Sequence, residues 1–136
     1  MLGVNNVTDN DESCVFCDYI KNKNFIMDND YAIAVYDNFP VNKGHMLIIP
    51  KRHFASYFDA SVNEISAIND LIKRAKSFLD NELKPDGYNI GINIGEAAGQ
   101  TIFHLHIHLI PRYFGDVENP RGGIRKFKTA LVEYDG

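Results

Sequence analysis

The order of apolar and polar positions divides the chain into short strand-like runs around one long helical stretch. Tyr31–Tyr36 (YAIAVY) and His45–Ile49 (HMLII) are rich in strand formers, and the turn residues of Asp37–Gly44 (DNFPVNKG) separate them. This pattern predicts two antiparallel strands joined by a loop. Ser61-Val62-Asn63-Glu64 fits a capping box. Beyond it Ile65, Ile68, Leu71, Ile72, Ala75, Phe78 and Leu79 recur at helical spacing. They predict one amphipathic helix, ended by Pro85-Asp86-Gly87. Tyr88–Ile94 alternates as a strand does, Gly95–Gln100 is a tight glycine loop, and Thr101–Ile110 (TIFHLHIHLI) reads as a further strand stopped by Pro111. Near the start, Cys14–Ile20 suits a short helix with Ser13 as its cap.

Runs of strands with few helices between them favour an α+β domain. The expected architecture is an antiparallel sheet of about five strands, one long helix and a short N-terminal helix. Residues 1–13 are read as a loose lead-in, 14–115 as the domain, and 116–136 as a glycine- and charge-rich tail.

Composition adds limits. The 136 residues suit one domain, and 45% hydrophobic with 24% charged residues excludes disorder of the whole chain. Apolar stretches such as Met46–Ile49 fall far short of the ~20 residues of a membrane span. A net charge of −4 argues against coating a nucleic-acid polymer, while leaving room for a local anion site. The first residues carry no secretory pattern. Two cysteines cannot staple a domain of this size, so a cytoplasmic setting is expected.

Three of the five histidines, His104, His106 and His108, fall at every second position. On a strand they share one face, with Phe103, Leu105, Ile107 and Leu109 on the other. Incidental surface histidines, a structural metal site and catalysis all remain open. Imidazole near its ordinary pKa supplies both a neutral nucleophile and a proton carrier. The preceding Gly95-Glu96-Ala97-Ala98-Gly99-Gln100-Thr101 favours catalysis, since glycines admit an anion to backbone N–H groups and Gln100 and Thr101 are hydrogen-bond donors.

HLHIHLI resembles the His-φ-His-φ-His-φ-φ signature (φ apolar) of the histidine triad family of nucleotide hydrolases and transferases. Gly99-Gln100-Thr101 before it and Pro111-Arg112 after it resemble that family's flanks, as does Gly44-His45-Met46-Leu47-Ile48-Ile49-Pro50-Lys51. The resemblance implies a HIT-like fold and a dinucleoside polyphosphate hydrolase that works through a covalent nucleotidyl-His106. A purine nucleoside phosphoramidase, a dinucleoside polyphosphate phosphorylase and a non-catalytic nucleotide-binding module are the alternatives. It also implies that His108 holds the phosphate, Gln100 and Thr101 donate to it, and His45 buttresses the other histidines. Asp37 and Asn93 are implied at the ribose, Gly99 at the nucleotide and Phe16 at the base, with Tyr19 beside it. Family members usually form dimers, so a homodimer is expected.

Cys14-Val15-Phe16-Cys17 has metal-ligand spacing and is half a site. A redox motif is disfavoured because no βαβ pattern surrounds it. His53 and His104 are the best further ligands, and bacterial members of the family resemble such a zinc arrangement. Two buried thiols are the alternative. Arg121, Arg125, Lys126 and Lys128 cluster in the tail, either as a solvated patch or as a clamp for distal phosphates.

Overall fold

The computed structural model describes residues 13–128. Its elements, in chain order, are α1 (Val15–Lys21), β1 (Met27–Asp28), β2 (Ala32–Tyr36), β3 (Met46–Pro50), α2 (Val62–Leu83), β4 (Gly87–Gly91) and β5 (Ile107–Arg112). Single 3-10 turns occur at Tyr57–Asp59, Glu96–Ala98 and Gly123–Phe127. All strand pairs are antiparallel, in the order β1-β2-β3-β5-β4. The expected α+β sheet with one long and one short helix is what forms. The two-residue β1 has no periodicity of its own and is made by pairing with β2.

The capping box starts α2: Glu64 N–H donates to Ser61 Oγ, and Ser61 N–H donates to the Glu64 carboxylate. Arg52 Nη2 clamps the same carboxylate at 2.8 Å. Ile68, Leu71, Ala75 and Leu79 are buried against Ala34, Met46, Ile48, Ile107 and Leu109 of the sheet. Phe78, expected on this face, is 37% exposed, because the buried stripe is narrower than the apolar one. Truncating Leu71 to Ala, at no exposure, is worth roughly 2–5 kcal/mol. Gly44 is fixed by its backbone: its φ is +91°, and a Cβ there would also press on Leu83 Cδ1 at 2.7 Å.

The other sheet face packs Ile33, Val35, Leu47 and Ile49 against Phe16, and carries the site. Ser13 does not cap α1; Cys14 does, its Sγ accepting from Cys17 N–H at 3.3 Å. The strand expected over 88–94 ends at Gly91. The strand expected over 101–110 begins only at Ile107 and runs through Pro111 to Arg112. Residues 101–106 have no ladder: β3 pairs no further than Ile107 and β4 no further than His108. Leu105 N–H donates instead to Phe54 C=O. Pro111 is tolerated because β3 pairing has ended at Leu109, and its C=O accepts from Asn42. Among the described residues no helix is long and apolar enough to cross a membrane.

Candidate active site

Strand register brings the polar residues together. Leu47 faces His108 across β3 and β5, so His45, two residues earlier, is its diagonal neighbour on the same face. Val35 faces Leu47 across β2 and β3, and beyond that ladder Asp37 N–H donates to His45 C=O. Asp37, His45 and His108 are thereby stacked across three strands.

The bonds of these groups assign their protons. Val41 N–H donates to His45 Nδ1 at 3.0 Å, so a neutral His45 carries its proton on Nε2. That atom lies 2.9 Å from His108 Nδ1 and 3.4 Å from Asp37 Oδ2. His108 then accepts at Nδ1 and holds its own proton on Nε2. His106 Nδ1 lies 2.9 Å from His104 C=O, and since a carbonyl only accepts, Nδ1 carries the proton. The lone pair of His106 is therefore on Nε2.

Burial lowers the pKa of all three rings. For His45 and His106 burial is the main cause, partly opposed by Asp37. For His108 burial acts first, then His106 and His45, and together they bring it to about 4. All three are neutral at pH 7.

His106 and His108 line a cavity of about 390 Å³. Asp37, Asn93, Gly99 and Thr101 form its polar wall, and Val15, Phe16, Tyr19 and Ile102 its apolar one. The Phe16 ring meets His106 edge-on, 5.0 Å between centroids. The expectation that all three histidines lie on one face of a strand is corrected, since residues 101–106 form no strand. His104 is fully buried and turned away, its Nε2 donating to Pro50 C=O at 2.8 Å.

Gln100 also departs from expectation. It is buried, its Nε2 donates to the carbonyls of Ala55 and Ile102, and its Oε1 accepts from Gly95 N–H. With donors and acceptor engaged, it braces the glycine loop and offers nothing to a phosphate. Its position inside the loop gives no sign in sequence of which way it turns.

His104 instead meets Cys14, Cys17 and His53. Its Nδ1 lies 3.3 Å from Cys14 Sγ, 3.5 Å from Cys17 Sγ and 3.1 Å from His53 Nδ1; Cys17 Sγ lies 3.4 Å from His53 Nδ1. All four ligand atoms are within 4.8 Å of one another. Because His104 Nε2 holds its proton on Pro50, the Nδ1 lone pair points into the cluster. Tetrahedral Zn–N and Zn–S bonds of ~2.0–2.3 Å give edges of ~3.3–3.8 Å. The donor set fits such an ion, with the spacings to sulfur inside that range and the 3.1 Å between the two imidazole nitrogens just short of it.

Residues 20–115 match the HIT domain family model. An uncharacterized HIT-like protein of Mycoplasma genitalium is 40% identical over 104 residues, covering 74% of each chain. A zinc-bound histidine triad family protein from Mycobacterium smegmatis superposes with a TM-score of 0.71 at 33% identity, over 79% of this chain and 80% of that one. A Mycobacterium tuberculosis protein named AP-4-A phosphorylase is 33% identical over 84 residues, or 61% of this chain and 43% of its own.

Proposed function

This chain belongs to the HIT domain family, and from that premise we propose that it hydrolyses a dinucleoside polyphosphate at the α-phosphate, diadenosine tetraphosphate first. The observation that carries this is the His106 tautomer: Nδ1–H is fixed on the His104 carbonyl, leaving a neutral Nε2 at the cavity.

The chemistry runs in two displacements. His106 Nε2 attacks the α-phosphorus; an N–P bond forms, and the P–O bond to the leaving polyphosphate breaks with its electron pair. Water then attacks the same phosphorus, the N–P bond breaks, one proton is released and neutral His106 returns. The products are AMP and ATP. His108 Nε2–H and the Thr101 hydroxyl are the donors for charge developing on the phosphate oxygens. Asp37 and Asn93 take the ribose hydroxyls, Gly99 keeps the loop backbone close to the nucleotide, and Phe16 with Tyr19 forms the base wall. His45 is a positioning residue, acting through His108.

Zinc on Cys14, Cys17, His53 and His104 supplies a structural cross-link when bound. Those ligands join the start of α1, the segment after β3 and the approach to β5, so the His104 carbonyl that orients His106 sits on a tethered backbone. The reduced cysteines accord with a cytoplasmic setting.

A homodimer is part of the same proposal. β4 ends the sheet with its outer edge unpaired among the described residues, and beside it Ile65, Ile72, Ile90 and Ile92 line an apolar groove. An open edge next to an apolar groove calls for cover.

Product analysis tests the function. Diadenosine tetraphosphate in ¹⁸O-water is expected to give ATP and AMP, with the label in AMP. Two ADP molecules would contradict α-phosphate attack by His106. ADP and ATP formed only with added phosphate would favour the phosphorylase, which the name of the Mycobacterium tuberculosis relative supports. Turnover of adenosine phosphoramidate alone would favour the phosphoramidase. Binding without turnover of any of these would leave a nucleotide-binding module.

A further inference from the structure

We infer that Asn42 and Asp116, which line no part of the cavity, are positioning residues for His45 and His108. The Asp116 carboxylate holds the Asn42 side chain, and Asn42 holds the loop whose Val41 N–H sets the His45 tautomer. This role rests on the α-phosphate reading above and concerns how that same site is kept in order.

Between Asp37 and Gly44 the loop has little apolar anchorage. Phe39 and Val41 are 88% and 66% exposed, so burial of their side chains does not fix it. Yet Val41 N–H must stay on His45 Nδ1 for His45 to present its Nε2 proton to His108. Polar bonds from the end of β5 and the segment after it do the fixing. Asn42 C=O accepts from His45 N–H at 3.1 Å. The Asn42 amide donates twice in the other direction, to Pro111 C=O at 3.0 Å and to Asp116 Oδ2 at 2.7 Å. The Tyr113 hydroxyl adds a further tie, donating to Lys43 C=O at 2.9 Å.

Asp116 is itself held in one setting. Arg112 grips both of its oxygens, Nε donating to Oδ2 at 2.8 Å and Nη2 to Oδ1 at 2.7 Å, and Tyr113 N–H donates to Oδ2 at 3.0 Å. A two-pronged guanidinium–carboxylate pair has a defined plane, so the oxygen that meets Asn42 has a fixed direction as well as a charge. The Arg112 guanidinium keeps the Asp116 carboxyl well below the ordinary carboxylate range, which makes it a permanent acceptor. Arg112 Nη1 is anchored in turn on Asn89 Oδ1 of β4 at 2.7 Å. The contacts run from β4 through Arg112, Asp116 and Asn42 to the Val41–His45 bond, and so to the ring that faces the phosphate. Outer partners of this kind fix the tautomer and orientation of a functional imidazole.

The test compares the full wild-type chain with Asn42→Ala, Asn42→Asp and Asp116→Ala. Two things are read: kcat and KM on diadenosine tetraphosphate, and the ring ¹⁵N shifts of His45 at pH 7 in the free protein. Wild type is expected to show one bare and one protonated nitrogen on that ring. Without the tie Val41 N–H leaves Nδ1 part of the time, the proton is shared, and the two shifts are expected to move toward each other in all three variants. A fall in kcat of about tenfold is expected, with KM within about twofold, as part of the loss that follows when the tautomer of an active-site histidine is not held. Asn42→Asp keeps the shape but sets oxygens against the Asp116 carboxylate and the Pro111 carbonyl, so it should lose at least as much as Asn42→Ala. Wild-type behaviour of Asn42→Asp would overturn the proposal. So would His45 shifts or kcat unchanged from wild type in Asn42→Ala and Asp116→Ala, even with a lowered Tm, since that is the result of a merely structural tie. If wild type turns over no dinucleotide, the hydrolase proposal fails and the ring shifts still decide this one. The variants lie on separate segments, so misfolding at one, read by circular dichroism, leaves the test to the other.

Discussion

His45 Nε2 lies 2.9 Å from His108 Nδ1, and this contact, with the Val41 N–H on the far side of His45, sets the tautomer of both rings. His108 is left with a donor at Nε2, the atom that the proposed mechanism uses on a phosphate oxygen. His45→Ala removes that control. It is expected to lower kcat on the nucleotide substrate about 10²-fold, since holding the tautomer of an active-site histidine is worth at least that order. Equal kcat would show that the contact is structural only; a fall of KM and kcat together with loss of near-UV dichroism would mean misfolding.

Stability should fall on the acid side of pH 6.5. His45 and His108 have folded-state pKa values below the ordinary 6.5, His108 at about 4, chiefly through burial. Between about pH 4 and 6.5 the unfolded chain binds protons at these positions and the folded chain does not, so stability rises with pH across the window. The slope contributed by one such ring is at most about 1.4 kcal/mol per pH unit. Urea titrations from pH 4.5 to 7.5 check this, and a flat midpoint over that range would rule it out.

Glu64 works in a lower window. The Arg52 guanidinium, first, and the Ser61 cap hold its carboxyl at about 2 against an ordinary 4.5. The depressed pKa stabilises the fold above 4.5, and that contribution is lost as pH falls from 4.5 toward 2. Arg52 is 54% exposed, which screens the pair. Glu64→Gln is expected to cost about 1 kcal/mol at pH 7, read by denaturant unfolding, through loss of the charged clamp to Arg52, since a glutamine oxygen can still accept from Ser61 N–H. The difference between variant and wild type should shrink steadily as pH falls from 4.5 toward 2.

Protein purified without chelator is expected to carry about one zinc per chain, by elemental analysis. Cys14→Ser or removal of the ion should lower Tm, because the cluster ties α1 to the backbone before β5. Less than ~0.2 equivalents would leave the four residues as a thiol and imidazole cluster with no metal.

Much of this was legible in the sequence, for physical reasons. The Ser61–Glu64 box and the recurrence from Ile65 to Leu79 encode α2, because capping and amphipathicity are local. The gathering of Cys14, Cys17, His53 and His104 was expected from spacing and family resemblance. Other features depended on long-range partners. Alternation at 101–106 has the period of a strand, yet the chain there has no ladder because neither β3 nor β4 reaches it. Period two therefore grouped His104 with His106 and His108, while tertiary contacts turned it into the cysteine cluster. Gln100 looked like a donor beside a phosphate, and the carbonyls of Ala55 and Ile102, one of them distant in sequence, claimed its amide. Nothing local in Asn42 or Asp116 indicated that the two side chains would meet. The tail residues of 129–136 and the lead-in of 1–12 lie outside the described residues.

The most direct test of the central claim is kcat for His106→Asn on diadenosine tetraphosphate, with the fold verified by Tm. Asparagine keeps a polar side chain and removes the Nε2 nucleophile. A fall of about 10³-fold or more is expected, in line with the loss of a covalent nucleophile. A kcat within tenfold of wild type would contradict a mechanism that passes through nucleotidyl-His106.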